Sequence, residues 1–378
     1  MQTRSISLVF LILTLIVASC SSGKKALKKG QYDKAVSQAI NRLRSNDNSQ
    51  KAQETLRSAY NLAITSHLRN IQRAKGSNDV LRWEAVASNY QSINNFYEEI
   101  LRCPGCMDAV PNPAKYDSEL ASAKQNAAAA RYELGVEALK EKKIRNRAIE
   151  AHQHFSRVRD YSPRYKDVED KLEESYFYAT LKVVVEPIPV PSRMFDLRHE
   201  FFVNKINEYL HNQPINPYVR FYTPGEVQAQ NLEFVDHVIR MQFDEFAMGN
   251  VFLNKSSREV TRDSVNVNEK GREPVYATVK ATVITHEKAI TGTGVLDFQI
   301  YDNELNKIVT QEKFPSSYTW AVSWANFNGD ERALTEEDKA LVNNIELPLP
   351  NPQWMFEEFT APIYDQVIGK IRTYYRRY

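Results

Sequence analysis

Cysteine, histidine and tryptophan are the side chains here whose placement could do chemistry. Cys103-Pro104-Gly105-Cys106 is the tightest such group. Proline second and glycine third suit a type II turn, whose third residue needs a positive φ. Such a turn brings its end Cα atoms within about 7 Å, which overlaps the span a disulfide bridges. A clasp between Cys103 and Cys106 is therefore expected in an oxidising compartment. Free thiols and two other uses stay open. A redox-active dithiol calls for a βαβ setting and a helix N-terminus to lower a thiol pKa, whereas this pair follows a long helical stretch and precedes Val110-Pro111-Asn112-Pro113. A zinc knuckle needs two more ligands, and no histidine lies nearby.

The second group is aromatic. Tyr318, Trp320, Val322 and Trp324 alternate with Thr319, Ala321, Ser323 and Ala325, so a strand puts the bulky four on one face. Trp354, Phe356 and Phe359 open a final helix, and a bulky strip facing a helix reads as core. The alternative is a stacking platform for glycan or a groove for a peptide, because Trp and Arg dominate binding hot spots. In that case Trp320 and Trp324 would bind together with Asn326, Asp330 and Arg332 of the polar, Gly-containing loop that follows.

Catalytic patterns are missing from the sequence. It has no Gly-x-Ser-x-Gly, no phosphate-cradling glycine loop and no His-Glu-x-x-His. His152 and His154 are two apart, so on a helix they diverge by about 200°. His67, His199, His211, His237 and His286 are isolated, and the adjacent pairs Glu173-Glu174 and Glu357-Glu358 do not converge. The expectation is a non-enzyme with no catalytic residue, no metal and no cofactor.

The elements that must position these groups are bounded by composition. The chain has 378 residues, 42% hydrophobic and 25% charged, with 49 Lys plus Arg against 47 Asp plus Glu, a net charge of +2. This excludes a wholly disordered, collagen-like or polytopic membrane protein. Near-balanced charge argues against a nucleic-acid partner. Three cysteines are too few for a disulfide-built scaffold.

Residues 1–19 differ from the rest. Arg4 precedes an apolar run from Leu8 to Val17, and small residues then lead to Cys20, the pattern of a secretory signal. The run is about ten residues, short of the roughly twenty that cross a bilayer. Val17-Ala18-Ser19-Cys20 resembles the lipobox of bacterial lipoproteins, which implies cleavage before Cys20 and diacylglycerol on its thiol. At roughly 0.8 kcal/mol per buried methylene, several acyl chains anchor a protein permanently. By the same resemblance Ser21 is not the Asp that retains lipoproteins in the inner membrane, and no acidic export tether follows. The expected address is the outer membrane, facing the periplasm. Residues 20–30, with Lys24, Lys25, Lys28 and Lys29, read as the tether or a solvated helix start.

Residues 31–178 read as helical, rich in Ala, Lys, Glu, Arg and Gln. Gly30-Gln31-Tyr32-Asp33-Lys34-Ala35, with Ala39 and Ile40, resembles the Gly-x-Tyr-x-x-Ala core of a tetratricopeptide repeat. Helices are expected at about Tyr60 to Ala74 and Leu81 to Leu101, closed by Pro104. Another pair is expected at Ala127 to Lys142 and Arg145 to Asp160, with Gly135, Ala148, Phe155 and Pro163 at repeat positions. The resemblance implies a stack that offers a concave surface to a protein partner.

Residues 179–378 read as an α+β domain with a mainly antiparallel sheet. Leu181 to Val185, Tyr218 to Tyr222 and Val235 to Phe243 are expected strands, with a helix from His199 to Leu210. Ser257 to Val267 and Val275 to Thr285 flank a hairpin signal, Asn268-Glu269-Lys270-Gly271. Gly294 to Asp302 and Lys307 to Phe314 are further strands, followed by helices at Thr335 to Asn343 and Pro352 to Tyr375. This order, carried by Leu181 to Val185, Val235 to Phe243 and Gly292 to Asp302, resembles the small domain of the curli-export and penicillin-binding-protein-activator lipoproteins, related to the amino-terminal domain of TolB. The resemblance implies a non-enzymatic scaffold in envelope assembly, partnered by protein and by membrane through the anchor. Peptidoglycan is the alternative ligand. A curli-type pore is rejected. Arg258, Glu259, Arg262 and Asp263 charge both faces of Ser257 to Val267, at roughly 2–4 kcal/mol per basic residue on a lipid face near the midplane.

Overall fold

The computed structural model describes residues 23–189, 196–268 and 273–378. Cys20, the apolar run before it, Ser21 and Ser22 lie outside the described residues. The fold is α+β, in two compact units, Met1–Ala179 and Thr180–Tyr378.

In the first unit the helices are α1 (Lys24–Lys28), α2 (Tyr32–Ser45), α3 (Gln50–Lys75), α4 (Arg82–Leu101), α5 (Pro104–Ala109), α6 (Asp117–Leu139), α7 (Arg145–Tyr161) and α8 (Val168–Ala179). The long ones pack on one another in chain order. Small residues set the spacing: Ala35, Ala39, Ala52, Ala59 and Ala63 are fully buried where α2 meets α3. A Cβ on Gly135 would sit 2.8 Å from the Phe155 ring, so α6 and α7 need glycine there. Polar groups tie neighbours together. Arg131 of α6 donates twice to Glu84 of α4, at 2.6 and 2.8 Å. Buried His67 of α3 bonds Asn89 at 2.8 Å and Asp33 at 3.2 Å.

The sequence reading differs here in three places. α3 starts at Gln50 and α6 at Asp117, each ten residues before the expected Tyr60 and Ala127, and α8 continues the helical stretch expected to reach Tyr178. Cys103-Pro104-Gly105-Cys106 is no type II turn: Cys103 caps α5, and the only glycines with positive φ among the described residues are Gly23, Gly30 and Gly329. Proline at the first helical position is pre-set for a helix. Gly105 is needed for close approach instead, since a Cβ would fall 2.6 Å from the Asp47 carbonyl oxygen. Cys103 and Cys106 are bonded, with Cα atoms 5.1 Å apart, and are fully buried in the core of α2, α3 and α4.

In the second unit β1 (Leu181–Val185) lies parallel to both β2 (Val219–Tyr222) and β3 (His237–Met248). β3 and then β4 (Phe252–Asn266) run antiparallel along one side of β5 (Tyr276–Asp302), and β6 (Lys307–Gly329) runs along the other. α9 (Asp196–Asn212) and α12 (Pro352–Tyr375) cover one face at the β1 end, burying Leu296, Phe298, Ile300, Phe314, Phe356 and Phe359. α10 (Pro224–Ala229) is short, and α11 (Glu336–Asn343) is held by a capping box of Thr335 and Asp338.

β5 and β6 are the main departure from the sequence. Val275 to Thr285 and Gly294 to Asp302 belong to one strand, and so do Lys307 to Phe314 and the Tyr318–Gly329 stretch. Within β5 the glycines open space: a Cβ on Gly294 would lie 2.7 Å from the Phe359 ring. No helix among the described residues is long and apolar enough to cross a membrane.

Candidate binding surface

β4, β5 and β6 form a three-stranded ribbon whose register decides which side chains meet. Antiparallel partners share a face. Ile284 stands between Ser257 and Asn326, His286 between Lys255 and Trp324, Lys288 between Leu253 and Val322, and Ile290 opposite Trp320. All lie on the face that carries Leu296 and Phe298 further along β5, because the period of two runs on without a shift. At the far end of the ribbon the opposite face is covered: Val260, Val279, Ala281, Val283 and Ala325 pack with Ala333 and Leu334, next to α11.

The aromatic strip is therefore not core, contrary to the expectation of a helix over it. α12 begins at Pro352 and meets the strip at Tyr318, whose ring makes an edge contact with Trp354 at 5.5 Å. Trp320, Val322 and Trp324 are half-buried and outside the core clusters. The His286 and Trp324 rings stack 5.2 Å apart and 9° from parallel.

Between α11 and α12 the chain passes round β6. Asn344 Nδ2 donates to the Ser323 carbonyl at 3.1 Å. Lys288 then pairs with Glu346 and donates to the Leu347 carbonyl at 3.2 Å. This strap presents Ile345, Leu347 and Leu349 to solvent at 71%, 42% and 44% exposure, and Leu253 at the start of β4 is 68% exposed. Exposed apolar groups near aromatic rings are the composition of a contact surface.

Of the five residues expected to bind, the structure brings together Trp320, Trp324 and Asn326. Asn326 lies in β6 and not in a loop. Asp330 and Arg332 serve the fold instead. Asp330 caps a short 3-10 turn and pairs with Arg332 at 2.6 Å, and Arg332 donates to the Asn266 carbonyl at 3.0 Å. The Arg332 side chain and amide hold the Asp330 carboxyl at about 2. His286, Lys288 and Leu253 were missed, because only the inter-strand register places them beside Trp324.

No family model matches the chain, and no curated protein matches it. The solved structures that match it include three weak likenesses. A Helicobacter pylori protein described as a neuraminyllactose-binding hemagglutinin homolog has 10% identity and a TM-score of 0.27 over 51% of this chain and 84% of its own. Hypothetical protein CT253 of Chlamydia trachomatis has 11% identity and a TM-score of 0.25, over 52% and 98%. A minor lipoprotein of Acinetobacter baumannii has 12% identity and a TM-score of 0.17, over 51% and 91%. Likenesses this low carry no argument about function.

Proposed function

We propose that this chain is a non-enzymatic lipoprotein of the bacterial envelope, anchored in the outer membrane through Cys20 and facing the periplasm, where it holds protein partners as a scaffold. The anchor rests on Leu8 to Val17 followed by Val17-Ala18-Ser19-Cys20. The tetratricopeptide-like reading of residues 31–178 adds a helical stack of the kind that receives protein partners. One observation carries the gripping role: Trp320 and the stacked His286–Trp324 pair are only partly buried and belong to neither core cluster of the sheet. Large aromatic groups kept out of a core at such a place are the anchors of binding surfaces.

A second reading, peptidoglycan or another glycan as ligand, is favoured by the parallel ring pair with Ser257 and Asn326 on the same face. The rings would stack on a sugar while the hydroxyl and amide bond its oxygens.

Two experiments in cells test the proposal. Palmitate labelling should mark the mature chain and be lost in Cys20→Ala, which should leave the membrane fraction. A photo-crosslinking residue at position 324 should capture a partner, and one at Thr319 on the opposite face should not. Equal capture at both positions, or membrane retention of the Cys20→Ala chain, overturns the corresponding half.

A further inference from the structure

The polar face of the sheet at its β1 end holds a cleft unrelated to the aromatic ribbon. It is about 170 Å³, bounded by Glu186, Pro187 and Pro189 after β1 and by Arg240, Gln242, Asp297 and Gln299 on β3 and β5. Asp297 lies in its wall and is only 6% exposed. A carboxylate taken this far from water costs free energy unless a positive charge compensates it.

The charges around it are already paired off. Arg240 meets Glu186 at 3.2 Å. Lys313, the cross-strand neighbour of Asp297, gives its ammonium to Asp244 at 2.7 Å. Among the described residues Asp297 is bonded by neutral amides: Gln299 Nε2 at 2.6 Å and Gln311 Nε2 at 3.0 Å. Among the described residues, these two ion pairs leave one negative charge over.

Hydrogen-bond polarity points the same way. A carboxylate only accepts, so each glutamine must turn its NH2 toward the acid and its oxygen away. Gln299 and Gln311 do so toward Asp297, and Gln242 does so toward Asp244 at 3.2 Å. Each NH2 turned toward an acid leaves its amide oxygen to accept elsewhere, and Gln242, Gln299 and Asp297 all line the cleft. A site with one net negative charge and several acceptors complements a compact monocation with several N–H donors.

We propose that this cleft binds a small ligand through a primary ammonium group, which pairs with Asp297 and donates to the oxygens of Gln242 and Gln299. One charge matches one charge, whereas a divalent metal ion would have a single carboxylate to neutralise it.

Calorimetric titration of the full mature chain with n-propylammonium chloride at fixed ionic strength tests this. Tetramethylammonium, equal in charge but without N–H donors, and calcium serve as competitors. The expected result is saturable binding, with tetramethylammonium weaker by about tenfold or more, as loss of charge-assisted hydrogen bonds requires. Asp297→Asn should lose at least about tenfold in affinity, yet melt close to the parent without amine, because asparagine keeps the shape of the acid. Gln242→Met, an exposed position that the fold tolerates, should bind several-fold more weakly. Undiminished binding by Asp297→Asn, equal binding of tetramethylammonium, displacement by calcium, or no saturation by propylammonium would each overturn the site.

Discussion

The two ends of the β4–β6 ribbon carry the same alternation and put it to opposite use. Near β1, the face of Leu296, Phe298 and Phe314 is sealed under α12, and the other face holds Asp297, Gln299 and Gln311. Toward the far end the other face holds Val279, Ala281 and Val283 in a small core beside α11, and the first face carries His286, Trp320 and Trp324 only partly buried. No bulge in β5–β6 pairing separates Trp324 from Phe314, so the strands do not rotate between the two regimes. The cover changes sides because the chain crosses round β6 at Asn344. The alternation of a strand therefore fixes which residues share a face but leaves open which face is buried.

Substitutions on the shared face should separate the two ends, most sharply in the sealed region. Phe359→Ala should cost about 3–5 kcal/mol, measured by urea unfolding of the full chain followed by tryptophan fluorescence. Gly294→Ala should cost about 1–3 kcal/mol, because its Cβ would meet the Phe359 ring and overpack the core. A combined Gly294→Ala, Phe359→Leu chain that recovers part of this loss confirms that the glycine serves α12.

At the far end, Asp338 should matter less and in a pH-dependent way. Burial pushes its carboxyl up, but the Thr335 hydroxyl and amide and Arg258 outweigh that and hold it below the ordinary 3.8. A carboxylate lowered by folding contributes stability that is present above the unfolded value and lost as pH falls through the folded one. The α11 end should therefore loosen on acidification below about pH 4, seen as faster amide exchange in residues 336–343. Asp338→Ala should cost about 1–2 kcal/mol through the lost cap and abolish that acid dependence. Trp324→Ala should have the smallest effect on stability, about 1 kcal/mol or less, by urea unfolding.

Much of this architecture was legible in the sequence. The composition shift near Ala179, the valine run of β1, the alternation of Val275 to Val283 and the span of α12 each state a local preference that tertiary packing respects. What was not legible depends on distant partners. That Gly292 and Gly294 make room for Phe359 shows only once α12 is placed over them. Pro104 and Gly105 fit a turn as well as a helix start, and the Asp47 backbone, more than fifty residues away, decides. The Trp320–Trp324 strip was found from its spacing, but its exposure and its partner His286 follow from register and from the path of the strap. Asp330 and Arg332, chosen for polarity in a glycine-containing stretch, use that polarity to close the turn after β6.

The most direct test is a Trp320→Ala, Trp324→Ala chain, carried through both urea unfolding and partner retention after crosslinking in intact cells. A surface that grips a partner predicts an unfolding midpoint close to the parent's together with loss of the adducts formed by the parent chain. A loss of several kcal/mol in unfolding free energy, as for Phe359→Ala, or a full set of adducts retained, would contradict the account.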